Sequence, residues 1–426
     1  MNKIVLQFIL IFWFASLPSL GAAEWYRCAI HAHSNWSDGN VTLEEAVEWY
    51  SSHGFHFVSI TDHRILQTDP NRWRDVSQEK ADELNAKFGA GWTEIRIVDG
   101  KLQMRSKTVW EMEKKFNKPG RFLVIPGLEL TERHVWGDES IKALHLNALN
   151  VAKTLPYAME STLEETIRRS IKEVREHGES EKRPTILIVN HPQYLYYDIP
   201  PKALIDIDEV EFYEFLNPDY PLAGGVPLNE SQFWTIENYW DIVNAFRTVA
   251  GKQFVYGVGV DDAHDYTSFT TRTCPPGIAW IDVRAEELTA GAIFSAMRKG
   301  DFTISTGVEL NDVRFDQSAK TLAVDIRPEE GVKYQIDFVG TKKNFDRTET
   351  SFVLDEKAGT NPKRTGYTYR FEDFGVILKS VEGTKGEYTM RADDLYVRAR
   401  ITSDRRTRVP NENEPPTASA WTQPYR

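Results

Sequence analysis

Residues 31–39 read HAHSNWSDG. In an extended strand, residues i and i+2 face the same side. His31 and His33 therefore offer two imidazoles to one point, and Asp38 stands in the turn that follows. A lone His-x-His fits a surface or core-edge pair equally well, so the remainder of the chain decides. Five further places carry comparable residues at or near short apolar runs: Thr61-Asp62-His63, Gly127-Leu128-Glu129, His145, Asn190-His191-Pro192 and Asp261-Asp262-Ala263-His264. Six of the ten histidines fall at these positions. Backbone capping by individual histidines does not account for six together. Neutral imidazole and carboxylate suit Zn, Mn or Fe. Several dications held close together need carboxylates such as Asp38, Glu129 and Asp262 to offset their repulsion. Such ions can share a hydroxide and clamp both the entering and the leaving oxygen of a displacement.

The elements that must position these residues are legible. Seven apolar runs stand out: 25–30, 55–60, 122–126, 143–151, 185–190, 209–215 and 254–260. Near-continuous apolar strands suit a parallel sheet buried on both faces. Capping boxes at Thr42–Glu45 and Ser161–Glu164 predict helices ending at Gly54 and Gly178, and a third helix is expected from about Phe233 to Ala250. Alternating β and α elements predict a barrel or doubly wound sheet. In a barrel, strand C-termini open onto one face, so distant motifs can converge there. Residues 64–120 read as an insertion, with a hairpin at Asp99-Gly100 and a Lys/Glu-rich helix before Pro119-Gly120. From 308 to about 405, short alternating strands predict a small β-sandwich-like domain. The Pro-rich, polar residues 406–426 read as an extended tail.

In order, His31-x-His33, Ser37-Asp38-Gly39, Thr61-Asp62-His63, Gly127-Leu128-Glu129, Asn190-His191-Pro192 and Asp262-x-His264 resemble the motif series of the polymerase and histidinol phosphatase (PHP) family of metal-dependent hydrolases. The stretch AWIDVRAEELTAGAIFSAMRKGDFTISTG (279–307) resembles the end of that domain in stand-alone members. The likeness covers about residues 25–307. With the trailing β region it is similar to an exported, carbaryl-hydrolase-like group. The resemblance implies an α/β fold with a distorted seven-stranded (β/α) barrel and two or three divalent ions. It implies that His31, His33, Glu129 and Asp262 hold one ion. Glu129 would bridge to a second, completed by His145 and His191. Asp38, His63 and His264 would hold a third. His145 matches the family pattern only loosely.

Asp62 is expected behind the ligands, orienting an imidazole as metal-bound histidines require, with a strand-end cap as the alternative. Arg64, His134 and Arg272 are candidates to meet an anionic group of the substrate, or are ordinary loop residues. Tyr194, Tyr196 and Tyr197 wall the pocket or pack over its mouth. His53, His56 and His177 read as structural.

Composition narrows the class. With 51 Lys and Arg against 63 Asp and Glu, the net charge is −12. An acidic chain without a basic run is a poor general nucleic-acid binder. Lys3, the apolar stretch Ile4–Leu17 and Gly21-Ala22-Ala23 read as a cleaved export signal spanning 1–23. The stretch is short for a membrane span, and no cysteine stands at the cleavage point for a lipid. The expected location is periplasmic or secreted, with no membrane span after cleavage. Cys28 and Cys274 form no C-x-x-C pair, so no thiolate zinc site is expected. They are two buried thiols or, in an exported protein, a disulfide.

The expected activity is phosphoester hydrolysis of a small-molecule substrate by a hydroxide bridging the metals. Carbamate, ester or amide hydrolysis at the same site is the alternative. A non-catalytic metal- or glycan-binding protein is the third reading.

Overall fold

The computed structural model describes residues 23–136, 140–157, 159–193, 198–217, 235–269, 274–354, 364–407 and 417–426. The expected export signal, Ala23 apart, lies outside them, as do Tyr194, Tyr196, Tyr197 and Arg272. No helix among the described residues is long and apolar enough to cross a membrane.

The chain is mixed α/β. It opens with β1 (Glu24–Ala29), α1 (Leu43–Ser52) and β2 (Phe57–Ile60). Within 64–120 lie β3 (Trp73–Asp75), α2 (Gln78–Phe88), β4 (Ile95–Val98), β5 (Lys101–Arg105) and α3 (Val109–Phe116). β4 and β5 form the hairpin at Asp99-Gly100, with Val98 opposite Lys101. Next come β6 (Leu123–Trp136), β7 (Ser140–Leu149), α4 (Leu163–Glu181), β8 (Ile186–Val189), α5 (Pro201–Asp206), β9 (Phe212–Leu216), α6 (Ile236–Val249) and β10 (Tyr256–Gly259). After β11 (Trp280–Ala285), α7 (Ala290–Arg298) and β12 (Phe302–Ser305), the described residues form strands and one short 3-10 turn. These strands are β13 (Leu310–Asp316), β14 (Thr321–Ile326), β15 (Tyr334–Gly340), β16 (Thr350–Leu354), β17 (Arg364–Thr368), β18 (Val376–Glu382), β19 (Lys385–Thr389), β20 (Arg398–Arg406) and β21 (Thr417–Thr422).

The helices start where their caps require. Thr42 and Glu45 form a capping box at α1, and Thr235 and Asn238 form one at α6. At α4 the cap is Thr162, whose hydroxyl accepts from Glu165 N at 3.1 Å. This helix runs past Gly178, which packs against Thr185, and Lys182 closes it in the left-handed region.

All seven apolar runs are strands, β1, β2 and β6–β10. They sit in one sheet ordered β10-β9-β8-β7-β6-β2-β1-β11-β12-β21-β20-β15-β18. One expectation is corrected: the set is not all parallel. β7 runs antiparallel to both β6 and β8. Trp136 pairs with Ser140, so no crossover helix intervenes, and a short connection permits only the antiparallel sense. The described end of the 406–426 segment is a strand in the main sheet rather than a peripheral tail. β21 lies between β12 and β20, and Trp421 is buried. The sheet thus runs without a break from the motif-bearing strands into the later ones. A separate sheet, β13-β14-β19, shares a core with β15 and β20 through Leu322, Ile336, Phe338 and Ala399.

Candidate metal centre

The backbone ladder continues beyond the strand ends and sets the motif residues side by side. His33 N donates to Ala263 O at 2.8 Å, and Asp262 N to His31 O at 3.1 Å. Thr61 N reaches Ala32 O at 2.8 Å, and Glu129 N reaches Asp62 O at 3.2 Å. Residues just after β1, β2 and β10 and Glu129 within β6 are therefore neighbours, although they span more than half the chain.

Two glycines in the motifs have steric reasons. A Cβ on Gly127 would lie 2.2 Å from Ser59 Oγ, so only glycine lets β6 press this closely on β2 just before Glu129. A Cβ on Gly39 would lie 2.7 Å from Ser34 N, because the Asp38 loop folds back on itself and Gly39 N donates to Ser34 O. Asp262 and Arg64 both adopt positive φ, 48° and 60°. An aspartate tolerates this conformation. Arg64 is held there by its own N–H on Glu129 O and by Nε on Thr131 O.

Three groups of donor atoms converge. In the first, His31 Nε2 and His33 Nε2 are 3.1 Å apart, and each is 3.0 Å from Asp262 Oδ1. Glu129 Oε2 lies 3.6 Å from both nitrogens. In the second, Glu129 Oε2 is 2.6 Å from His63 Nδ1, and Glu129 Oε1 is 3.0 Å from His145 Nδ1. His191 Nε2 stands 3.9 Å from the same Oε1. In the third, Asp38 is 3.7 Å from His33 Nδ1 and 3.5 Å from both His63 Nε2 and His264 Nε2. All nine expected ligands are thus brought together, but the division between positions differs from the expected one. His33 faces the first and third groups with its two nitrogens, and His63 faces the second and third.

The donor set fits cations. Glu129 is fully buried, and its Oε2 faces three imidazole nitrogens, those of His31, His33 and His63. With Zn–N near 2.0–2.1 Å, the edge of a tetrahedral site is about 3.3 Å. The 3.0–3.1 Å spacing of the first group is close to that edge.

Electrostatics follows the crowding. Burial disfavours the His31 cation, but the carboxylates of Asp262, Glu214 and Glu129 outweigh it and push its pKa well up. Burial and the neighbouring His264 bring His33 down to about 4, and burial with His145 brings His191 to about 3. Burial also opposes the His264 cation, yet the Asp38 hydrogen bond and Asp262 raise it to about 9. Against burial, His31 and its neighbours hold Glu129 and Asp262 well below the carboxylate range. Imidazoles pushed in opposite directions within one pocket mark a site built around charge.

Asp62 does not do what its position suggests. It accepts from Ser34 N and Oγ, Ser37 N and Oγ, and Gln67 Nε2, and it touches no imidazole. It ties down the loop that carries Asp38. The carboxylate that orients an imidazole is Glu214, 2.5 Å from His31 Nδ1. Sequence reasoning missed it. The signal was a single carboxylate inside the buried run Phe212–Leu216. Asn190, beside His191, donates its Nδ2 to Glu129 Oε1 at 2.9 Å.

The centre opens into a cleft of about 510 Å³, rimmed by Arg64, Thr131, Glu132 and Arg133. Arg64 Nη2 pairs with Glu132 at 3.2 Å and is largely exposed. His134 lies further along β6, opposite Lys142. His53 stacks on Trp49, His56 Nδ1 accepts from Arg27 N, and His177 Nε2 accepts from Ala152 N, all away from the cleft. No disulfide joins Cys28, which is buried, and Cys274, which is partly so.

No family model matches the chain, and no curated protein matches it. Among solved structures, a two-domain protein from Bacteroides vulgatus containing a predicted PHP-like metal-dependent phosphoesterase is similar at 14% identity. The likeness covers 91% of this chain and 92% of that one, with a TM-score of 0.39.

Proposed function

We propose that this protein is an exported metal-dependent hydrolase acting on phosphoesters. In this reading residues 24–307 form a distorted (β/α)7 barrel, which the insertion 64–120 interrupts, and residues 308–405 form a β-sandwich-like domain. Two or three divalent ions, Zn, Mn or Fe, occupy the converging donors. The observation that carries the reading is Glu129: a fully buried carboxylate whose Oε2 stands 2.6 Å from His63 and 3.6 Å from His31 and His33, and whose Oε1 stands 3.0 Å from His145, so that it is shared between two groups of imidazoles.

His31, His33, Asp262 and Glu129 would hold one ion, Glu129 with His145 and His191 a second, and Asp38, His63 and His264 a third. Bound ions of this kind supply Lewis acidity and lower the pKa of a coordinated water toward neutrality. The chain's own groups do the rest. Asp38, Glu129 and Asp262 balance the positive charge. Arg64, exposed at the rim, would meet the non-bridging oxygens of an anionic ester. No serine or cysteine nucleophile is required.

The test is a paired rate assay on purified, metal-quantified protein. Bis-nitrophenyl phosphate is compared with a nitrophenyl ester and a nitrophenyl carbamate, in wild type and Glu129→Gln. Phosphodiester turnover that disappears in the variant together with bound metal supports the proposal. Turnover confined to the carbonyl substrates replaces it with carbamate or ester hydrolysis. A fully loaded protein that turns over none of them overturns the phosphoesterase reading.

A further inference from the structure

Beneath the donor cluster lies a carboxylate that the ligand groups do not use. Glu214, on β9, is fully buried. Three donors converge on it. His31 Nδ1 lies 2.5 Å from Oε1, while the backbone N–H of His191 and Asn217 Nδ2 reach Oε2 at 3.0 and 2.9 Å. The Asn217 amide also donates to Asp262 Oδ2 at 3.0 Å. One carboxylate and one amide therefore join residues from the ends of four strands, β1, β8, β9 and β10.

This arrangement has directional consequences. An ionised carboxylate only accepts, so the hydrogen between Glu214 and His31 sits on Nδ1. That leaves Nε2, the nitrogen facing His33 and Asp262, as the one able to hold an ion. Asn217 occupies Oδ2 of Asp262, so Oδ1 is the oxygen turned toward the two histidines. The other Glu214 oxygen holds the main chain of His191, whose ring belongs to the second position beside Glu129. Resting on the metal-centre reading above, we infer that Glu214 and Asn217 are positioning residues. They select the His31 tautomer and the Asp262 oxygen that face the first ion, and through the His191 backbone they couple filling of the second position to the first.

Glutamine cannot replace Glu214 without conflict. Whichever end carries its amide group places N–H against another N–H, either that of His31 or those of His191 and Asn217. A role limited to bracing β9 would cost stability in such a variant but leave its ion affinities alone.

The experiment titrates Co2+ into the full chain after stripping with a chelator. It follows the visible spectrum and competition with a metallochromic dye, and melting is recorded separately. Wild type is expected to fill in steps. In Glu214→Gln the first step weakens about 10- to 100-fold, as loss of a partner behind a ligating histidine does. The second step should weaken with it, and the cobalt bands should shift. Asn217→Ala should weaken the first step by a smaller factor and also shift the bands. Wild-type constants and bands in both variants overturn the inference, whatever their melting points. If Glu214→Gln does not fold, Asn217→Ala decides by the same two readouts. A wild-type chain that takes up no cobalt, zinc or manganese overturns the metal-centre reading itself, whereas uptake with unaltered variants overturns only this inference.

Discussion

Arg398 and Asp241 meet in the interior as a two-pronged pair, Nε to Oδ1 at 3.1 Å and Nη2 to Oδ2 at 2.6 Å. Both side chains are buried. Tyr396 donates to the same Oδ1, and Glu237 receives Arg398, Arg400 and the Trp421 indole. Every acceptor here lies on α6, the helix between β9 and β10, and every donor belongs to the late strands or the segment leading into them. The β-rich part is thereby clamped to the scaffold that presents Glu214 and Asp262.

Breaking this clamp on one side leaves a buried charge without its partner. Arg398→Met is expected to destabilise the fold by about 3–5 kcal/mol, measured by urea unfolding. Arg398→Met with Asp241→Leu removes both charges, so its loss should fall short of the sum of the two single losses. A single variant within about 0.5 kcal/mol of wild type would show that the pair contributes little.

Chelation gives a second expectation. An ion that binds only the folded chain adds RT ln(1 + [L]/Kd), about 2.7 kcal/mol at a hundred times Kd. Metal-loaded wild type should therefore lose melting temperature in EDTA, and added Zn or Mn should restore it. Glu129→Gln, which removes the carboxylate shared by the first two positions, should lose clearly less melting temperature in EDTA than wild type. An equal EDTA effect in both proteins would mean that any ion sits elsewhere.

Away from the centre, acid should loosen the insertion. Burial works against ionisation of Glu111, but Arg105 and the Thr108 N–H outweigh it and bring its pKa down to about 2. A depressed carboxyl contributes stability that is full above its unfolded pKa of about 4.3. That contribution disappears as pH falls toward 2. Glu111→Gln also weakens the α3 capping box, and its cost at pH 6 should be about 1 kcal/mol. The gap between variant and wild type should close between about pH 4.3 and 2. A gap independent of pH would assign the cost to packing rather than charge.

What was legible in the chain follows from local rules. Period-two spacing placed His31 and His33 on one side of an extended segment, and the apolar runs marked all seven strands before any pairing was known. Alternation does not report direction, so the antiparallel β7 was hidden. Glu214 was hidden because a carboxylate in Phe212–Leu216 looks like an ordinary strand residue until β1 brings His31 against it. Asp62 misled for the opposite reason: it adjoins His63 in sequence, yet its oxygens turn to Ser34 and Ser37. The 417–422 strand was unreadable because its partners, β12 and β20, are set by long-range pairing rather than by its own residues.

The Asp62 arrangement supplies a final expectation. Five hydrogen bonds from Ser34, Ser37 and Gln67 end on its two oxygens, and the loop they fix carries Asp38 toward His63 and His264. Asp62→Asn turns one acceptor into a donor that faces existing donors, at about 1–3 kcal/mol for the lost partners. The damage should be local. The first and second groups take their carboxylates from Asp262 and Glu129, which Asp62 does not touch through its side chain. Metal analysis of the variant should therefore show the Asp38 position emptied while the other two fill as in wild type. Loss of all bound metal would instead make the loop a support for the whole centre, and full occupancy at wild-type affinity would mean that Asp38 needs no such brace.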